Sequence, residues 1–88
     1  MIAFAEPAYP PAAKTHRIEG PVVLDALIGR DGVIMDLSVR TGHPRLAGSA
    51  LEAVRHWRYR PTTVNGIAVE VQTEIEVTFS LPDSVVSS

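Results

Sequence analysis

The apolar pattern of this chain predicts an α+β fold, a three-stranded antiparallel sheet in the order 2-1-3 with two helices on one face. Three observations carry that prediction. The residues Val69, Val71, Thr73, Ile75, Val77, Phe79 and Leu81 occupy successive odd positions near the end of the chain, which is the period of a half-buried strand. Leu46, Ala47, Ala50, Leu51, Val54 and Trp57 recur at steps of three and four, the period of a helix with one apolar face. Between residues 21 and 40, two shorter alternating runs flank Asp31-Gly32, a strong hairpin turn signal.

The elements follow in order from the punctuation. Pro7, Pro10 and Pro11 make the start of the chain extended, so residues 1–8 read as a lead-in, the end of a Pro-rich spacer. Pro10 and Pro11 can open a helix, and Ala12 to Ile18 then forms a short one that Gly20 stops. From Pro21 to Gly29, Val22, Leu24, Ala26 and Ile28 share one parity and line one strand face. In the second strand Leu37 and Val39 alternate with Asp36, Ser38 and Arg40, whereas Ile34 is out of phase, which predicts a bulge near Met35. Gly42-His43-Pro44 ends that strand and starts the second helix with Pro44 at its first position. Trp57 continues the helix stripe, and Arg60 before Pro61 stops the helix near Tyr59.

Asn65-Gly66 marks another tight turn before the final strand. At about 3.3 Å per residue that strand, Val69 to Leu81, would be roughly twice the usual length, so part of its backbone should lack a partner. A helical crossover brings the third strand back parallel to the second, and the economical place for it is beside the first. It is then an edge. Residues 9–82 form the domain, and residues 83–88, which have no period, read as a disordered tail.

Composition narrows the function. The chain has 88 residues, enough for one small core. Its net charge of −2 gives no electrostatic footprint for nucleic acid. Without Cys there is no disulfide framework and no thiolate zinc site. No apolar run approaches the ~20 residues that span a bilayer, so a soluble domain is expected.

The chemistry-bearing side chains have structural readings. His16, His43 and His56 lack the spacing that places two metal ligands on one helix face. Ser38, Thr41 and Ser49 stand in no nucleophile context, so no metal, cofactor or catalytic residue is assigned. Glu70, Glu74 and Glu76 share one strand face and read as a solvated surface that resists edge-to-edge association. Arg55-His56-Trp57-Arg58-Tyr59-Arg60 is basic and aromatic, but with Trp57 on the core stripe it reads as a core anchor flanked by ion pairs rather than a base-stacking platform.

The same residues, in this order, resemble the C-terminal domain of the TonB energy transducer family over roughly Tyr9 to Leu81. The pieces are Tyr9-Pro10 with Ala13, Arg17-Ile18-Glu19-Gly20 with Val22, Asp31-Gly32, His43-Pro44, and Ala53 followed by Trp57-Arg58-Tyr59-Arg60-Pro61, then Asn65-Gly66 and the alternating strand. The resemblance implies a non-enzymatic periplasmic domain that ends an inner-membrane protein, coupling a proton-driven motor complex to outer-membrane nutrient receptors. It also implies that a receptor's extended segment, the TonB box, adds to the last strand, here Glu74, Ile75, Glu76, Val77, Thr78, Phe79 and Ser80. Tyr9, Ile18, Gly20, Trp57, Arg58 and Tyr59 match family positions as well, each with a structural explanation of its own. A membrane helix and a long spacer are missing from these residues, which implies a domain of a longer protein. The competing reading is a self-associating or scaffolding envelope domain, such as a TolA-like bridge or a sensor module, in which the long edge strand pairs with its own copy as a homodimer.

Overall fold

The computed structural model describes residues 7–82 and 84–87. Among the described residues two helices and six strands follow one another as α1 (Pro11–Thr15), β1 (Gly20–Ile28), β2 (Ile34–Thr41), α2 (Pro44–Val54), β3 (Thr62–Val64), β4 (Ile67–Val69), β5 (Val71–Ser80) and β6 (Ser84–Ser87). The main sheet runs in the order β2-β1-β5-β6, while β3 and β4 form a separate hairpin. β1 lies antiparallel to both of its neighbours.

The expected three-strand order is therefore correct for β2, β1 and β5 and incomplete at one edge. The chain turns at Leu81 and Pro82, and Ser84–Ser87, within the stretch read as a tail, comes back antiparallel to the end of β5. Val85 lies opposite Phe79 and packs, partly buried, against the core. This contact and the backbone pairing outweigh the lack of any sequence period in so short a strand. Met1 to Glu6 of the lead-in lie outside the described residues, as do Asp83 and Ser88 of the tail.

Three further elements differ in detail. The alternation from Val69 to Leu81 is one run in sequence but two strands in space: Val69 pairs with Thr62 in the hairpin, Val71 pairs with Ile28 in the main sheet, and Glu70 joins them. α2 ends at Val54 rather than near Tyr59. Tightened turns follow, in which the His56 and Trp57 amides donate to the Ala53 and Val54 carbonyls at 3.1 and 2.9 Å. Trp57 thus lies beyond the helix, although it is buried in the core as expected. α1 closes at Thr15 with the two bonds of a Schellman motif, Arg17 N–H to Lys14 O and Ile18 N–H to Ala13 O, and Arg17 takes the left-handed position at φ 52° that glycine usually fills.

The predicted bulge is present. Leu27 pairs with Asp36 and Ile28 with Ile34, leaving Met35 as the extra residue. A second bulge leaves out Arg40, between Val39 opposite Leu24 and Thr41 opposite Val23.

The core lies between one sheet face and the helices. Val22, Leu24 and Ala26 of β1 with Ile75, Val77 and Phe79 of β5 meet Leu46, Ala47, Ala50 and Val54 of α2, Ala13 of α1, Tyr9 and Trp57. Every one of these is apolar or aromatic, and no buried side-chain polar atom among the described residues lacks a partner. The other sheet face carries Asp25 of β1 and Glu74 and Glu76 of β5 beside half-buried Val23 and Leu27. Small helix residues, Ala47 and Ala50, let α2 settle close to the strands, and His43 caps its start by accepting from the Arg45 amide at 3.1 Å.

Candidate functional site

The residues singled out in sequence, Glu74 to Ser80, make up the C-terminal two-thirds of β5. Their inner edge is taken by β1, from Asp25 opposite Glu74 to Gly20 opposite Phe79. Their side chains divide by parity as the alternation predicts. Ile75, Val77 and Phe79 are buried under the helices, while Glu74 and Glu76 are exposed on the open face beside half-buried Thr78 and Ser80. A strand built this way commits its odd side chains to the core, so its rigid backbone, rather than those side chains, is what it offers outward.

The outer edge has two parts. β6 occupies it from Val77 to Ser80, with Val77 opposite Ser87, Thr78 opposite Val86, Phe79 opposite Val85 and Ser80 opposite Ser84. Along Val71 to Ile75 no strand among the described residues pairs with it. The predicted site therefore straddles the boundary: Glu74 and Ile75 lie on the open part, Glu76 at the boundary, and Val77, Thr78, Phe79 and Ser80 on the covered part.

The position of β5 is held from both sides. At its far end Glu19 accepts the Leu81 amide at 2.6 Å, and the Tyr9 ring meets the Phe79 ring edge-on at 5.4 Å between centroids. The Tyr9 hydroxyl in turn donates to the Ile18 carbonyl, tying the chain just before α1 to the loop before β1. At the middle, Asp25 and Glu74 face each other across β1 and β5, a like-charge pair that would repel. Arg40 sits between them, its Nε 3.2 Å from Asp25 and its terminal nitrogen 3.3 Å from Glu74. The hydrogen bond to Asp25, reinforced by the charges of Asp25 and Glu74, raises the Arg40 pKa further. The sequence offers no signal for this bridge, because it depends on the bulge that leaves Arg40 out of the β1 register.

The remaining family-matched residues serve the scaffold. Trp57 is fully buried. Arg58 donates to the Trp57 and Arg55 carbonyls at 2.9 and 3.4 Å, and its backbone bridges to Val33. The Tyr59 amide donates to the Gly32 carbonyl at 2.9 Å, and burial raises the Tyr59 pKa. Arg55 and His56 both turn toward Glu52, at 3.3 and 3.6 Å. The basic and aromatic stretch is thus a core anchor with short polar links, as its spacing suggests. The three histidines stay apart in role: His43 caps α2, His56 faces Glu52, and His16 closes α1. Among the described residues no His, Cys, Asp and Glu side chains gather into a group that could hold a metal ion, and no helix is long and apolar enough to cross a membrane.

Comparison with known proteins agrees with this geometry. Residues 5–81 match the family model described as the Gram-negative bacterial TonB protein C-terminal. Protein TonB of Xanthomonas campestris pv. campestris (strain B100) is 31% identical over 77 residues, covering 85% of this chain and 34% of the relative. Protein TonB of Vibrio cholerae serotype O1 is 31% identical over 81 residues, covering 90% of this chain and 33% of the relative. The chain thus spans about a third of the length of these relatives, and it belongs to the TonB C-terminal domain family.

Proposed function

We propose that this domain is the receptor-coupling module of a TonB-like energy transducer, binding the TonB box of outer-membrane receptors by strand addition to β5. The carrying observation is the outer edge of β5 from Val71 to Ile75, along which no strand among the described residues pairs, on a strand that buries Ile75, Val77 and Phe79 in the core. Such an edge presents a row of amide and carbonyl groups and recognises main chain first. It tolerates different partner sequences, as a transducer serving several receptors requires. Because β5 is anchored along its whole length to β1, a pull on an added strand loads several hydrogen bonds together and passes into the core. The domain acts without catalysis or cofactor, in the periplasm, tethered to the inner membrane and its proton-driven motor through the rest of the protein.

The test is an NMR titration of labelled domain with peptides from receptor N-termini. Shifts and new exchange protection should concentrate on Val71 to Ser80; perturbation elsewhere with none on β5 would overturn the proposal. The same open edge favours one second reading, antiparallel pairing of β5 with its own copy, in which like charges at Glu74 and Glu76 can stagger. Sedimentation over a concentration series separates the two, since only self-pairing makes the mass rise with concentration.

A further inference from the structure

We propose that the outer edge of β2, with the groove between it and α2, is a second docking site. It takes a short extended segment of a partner protein that is apolar at one position and acidic two residues on. The site lies across β1 from β5, so it is independent of the strand-addition reading. β2 ends the main sheet, and no strand among the described residues pairs with its outer side. The fold itself shows what such an edge takes. At Val33, just before β2, the chain's own Arg58 forms an antiparallel bridge, and the Tyr59 amide donates to the Gly32 carbonyl at 2.9 Å. That pairing stops where β2 begins.

Main-chain groups stay turned outward beyond it. The Gly29 amide donates to the Val33 carbonyl, which fixes Ile28 and Ile34 as a pair without mutual hydrogen bonds. From there Leu27 and Asp25 turn their groups toward β2, and Ala26 and Leu24 turn theirs away. Leu37 and Val39, opposite those two, therefore present their own to the outside. The Leu37 amide accordingly donates to Oδ1 of its neighbour Asp36, at 2.9 Å, a bond that an incoming carbonyl replaces. The bulges at Met35 and Arg40 bound the stretch and limit the added segment to about five residues.

Beside this edge runs a groove of about 310 Å³, lined by Ile34, Met35, Asp36, Leu37, Leu51 and Arg55. A residue added opposite Leu37 drops its side chain on the same sheet face, into the groove, where Ile34, Leu37 and Leu51 select an apolar one. In an antiparallel partner the next side chain on that face, two residues on, advances toward Ile34 and the Arg55 guanidinium. Arg55 is held at 3.3 Å by Glu52, with both side chains mostly exposed, so a partner carboxylate can share it. The wider charge distribution has the same sign. Residues 30–60, which form β2, α2 and the turns around them, hold six Arg against Asp31, Asp36 and Glu52, whereas residues 61–82 hold Glu70, Glu74 and Glu76 and no cation. An acidic segment is drawn to the β2 side and repelled from the β5 side.

The probe is the synthetic peptide acetyl-Thr-Val-Thr-Leu-Thr-Glu-amide, which sets its Val opposite Val39, its Leu opposite Leu37 and its Glu toward Arg55. In an NMR titration of the domain, amide shifts should concentrate on residues 36–39. Replacing the peptide's Glu by Lys should weaken binding about three- to tenfold, the effect of exchanging one exposed attraction for a repulsion. The Arg55→Glu variant, altered at an exposed side chain, should reverse that preference and bind the Lys peptide more tightly. Shifts confined to Val71–Ser80 would overturn the β2 site while supporting strand addition to β5. No shift at all, or equal affinity for the Glu and Lys peptides, would overturn the β2 site and leave the β5 reading untouched. Shifts at residues 36–39 that appear on concentrating the domain without peptide would mark the edge as a contact between copies and overturn the partner segment.

Discussion

Two glycines with the same backbone conformation and opposite surroundings give a sharp test of how the second strand is seated. Gly32 has φ +82° and Gly66 has φ +81°. A Cβ added at Gly66 would meet nothing within 4 Å, whereas one added at Gly32 would lie 1.9 Å from the Tyr59 carbonyl oxygen. Alanine at either site incurs the left-handed backbone cost of about 1–2 kcal/mol, offset in part by a stiffer unfolded chain. Gly66→Ala should therefore cost about 1 kcal/mol. At Gly32 the overlap with backbone cannot be relieved by a rotamer change, so the turn and the segment after α2 must part by more than an ångström. That breaks the Tyr59 N–H bond to Gly32 O and the Val33–Arg58 bridge, about 1 kcal/mol each, and disturbs the packing of adjacent Trp57. The total for Gly32→Ala is about 3–4 kcal/mol, a large share of the roughly 4–13 kcal/mol expected for a domain of this size. Urea unfolding followed by circular dichroism measures both variants against the native domain. Losses within about 0.5 kcal/mol of each other would refute the claim that the Asp31-Gly32 turn is clamped against the chain beyond α2.

Trp57→Ala should cost about 3–5 kcal/mol in the same experiment, since it empties the largest fully buried site in the core. A variant that folds normally but binds peptide weakly would instead place Trp57 in the binding surface. Burial raises the Tyr59 pKa, so the neutral phenol is favoured in the folded state. Its contribution to stability is whole below the ordinary value of about 10 and is lost as pH rises through the folded pKa. Tyr59→Phe should remove part of the alkaline loss of stability, and the phenolate absorbance that this substitution removes should titrate later in the folded protein than in urea; identical curves would contradict the burial.

What could be read in the sequence was whatever burial writes with a regular period. The odd residues of β5 predicted the buried face of Ile75, Val77 and Phe79, and the phase slip at Ile34 predicted the bulge at Met35. Where a period continues through a change of partner, it misleads. The alternation runs unbroken from Val69 into β5 although β4, exposed at Ile67 and half-buried at Ala68 and Val69, does not share the burial parity of β5, so the break at Glu70 left no mark. Trp57 kept helical spacing because the tightened turns after Val54 advance the chain almost as a helix does. β6 was illegible for a different reason: four residues, Ser-Val-Val-Ser, are too few to carry a period, and their place is set by the edge of the strand just before them. Glu74 to Ser80 lie on one strand, as the alternation implies, while the division of that strand's outer edge into an open and a covered part became visible only in three dimensions. Arg40, which reconciles Asp25 with Glu74, was hidden by the second bulge.

The central claim is that β5 recognises main chain. N-methyl scanning of a bound receptor peptide tests it most directly, because each methyl removes one backbone donor and leaves the side chain in place. An antiparallel partner turns alternate residues toward β5, so affinity should fall sharply at every second position and little between them. A flat profile, or losses that follow side-chain identity instead of this period, would contradict strand addition to the Val71–Ser80 edge.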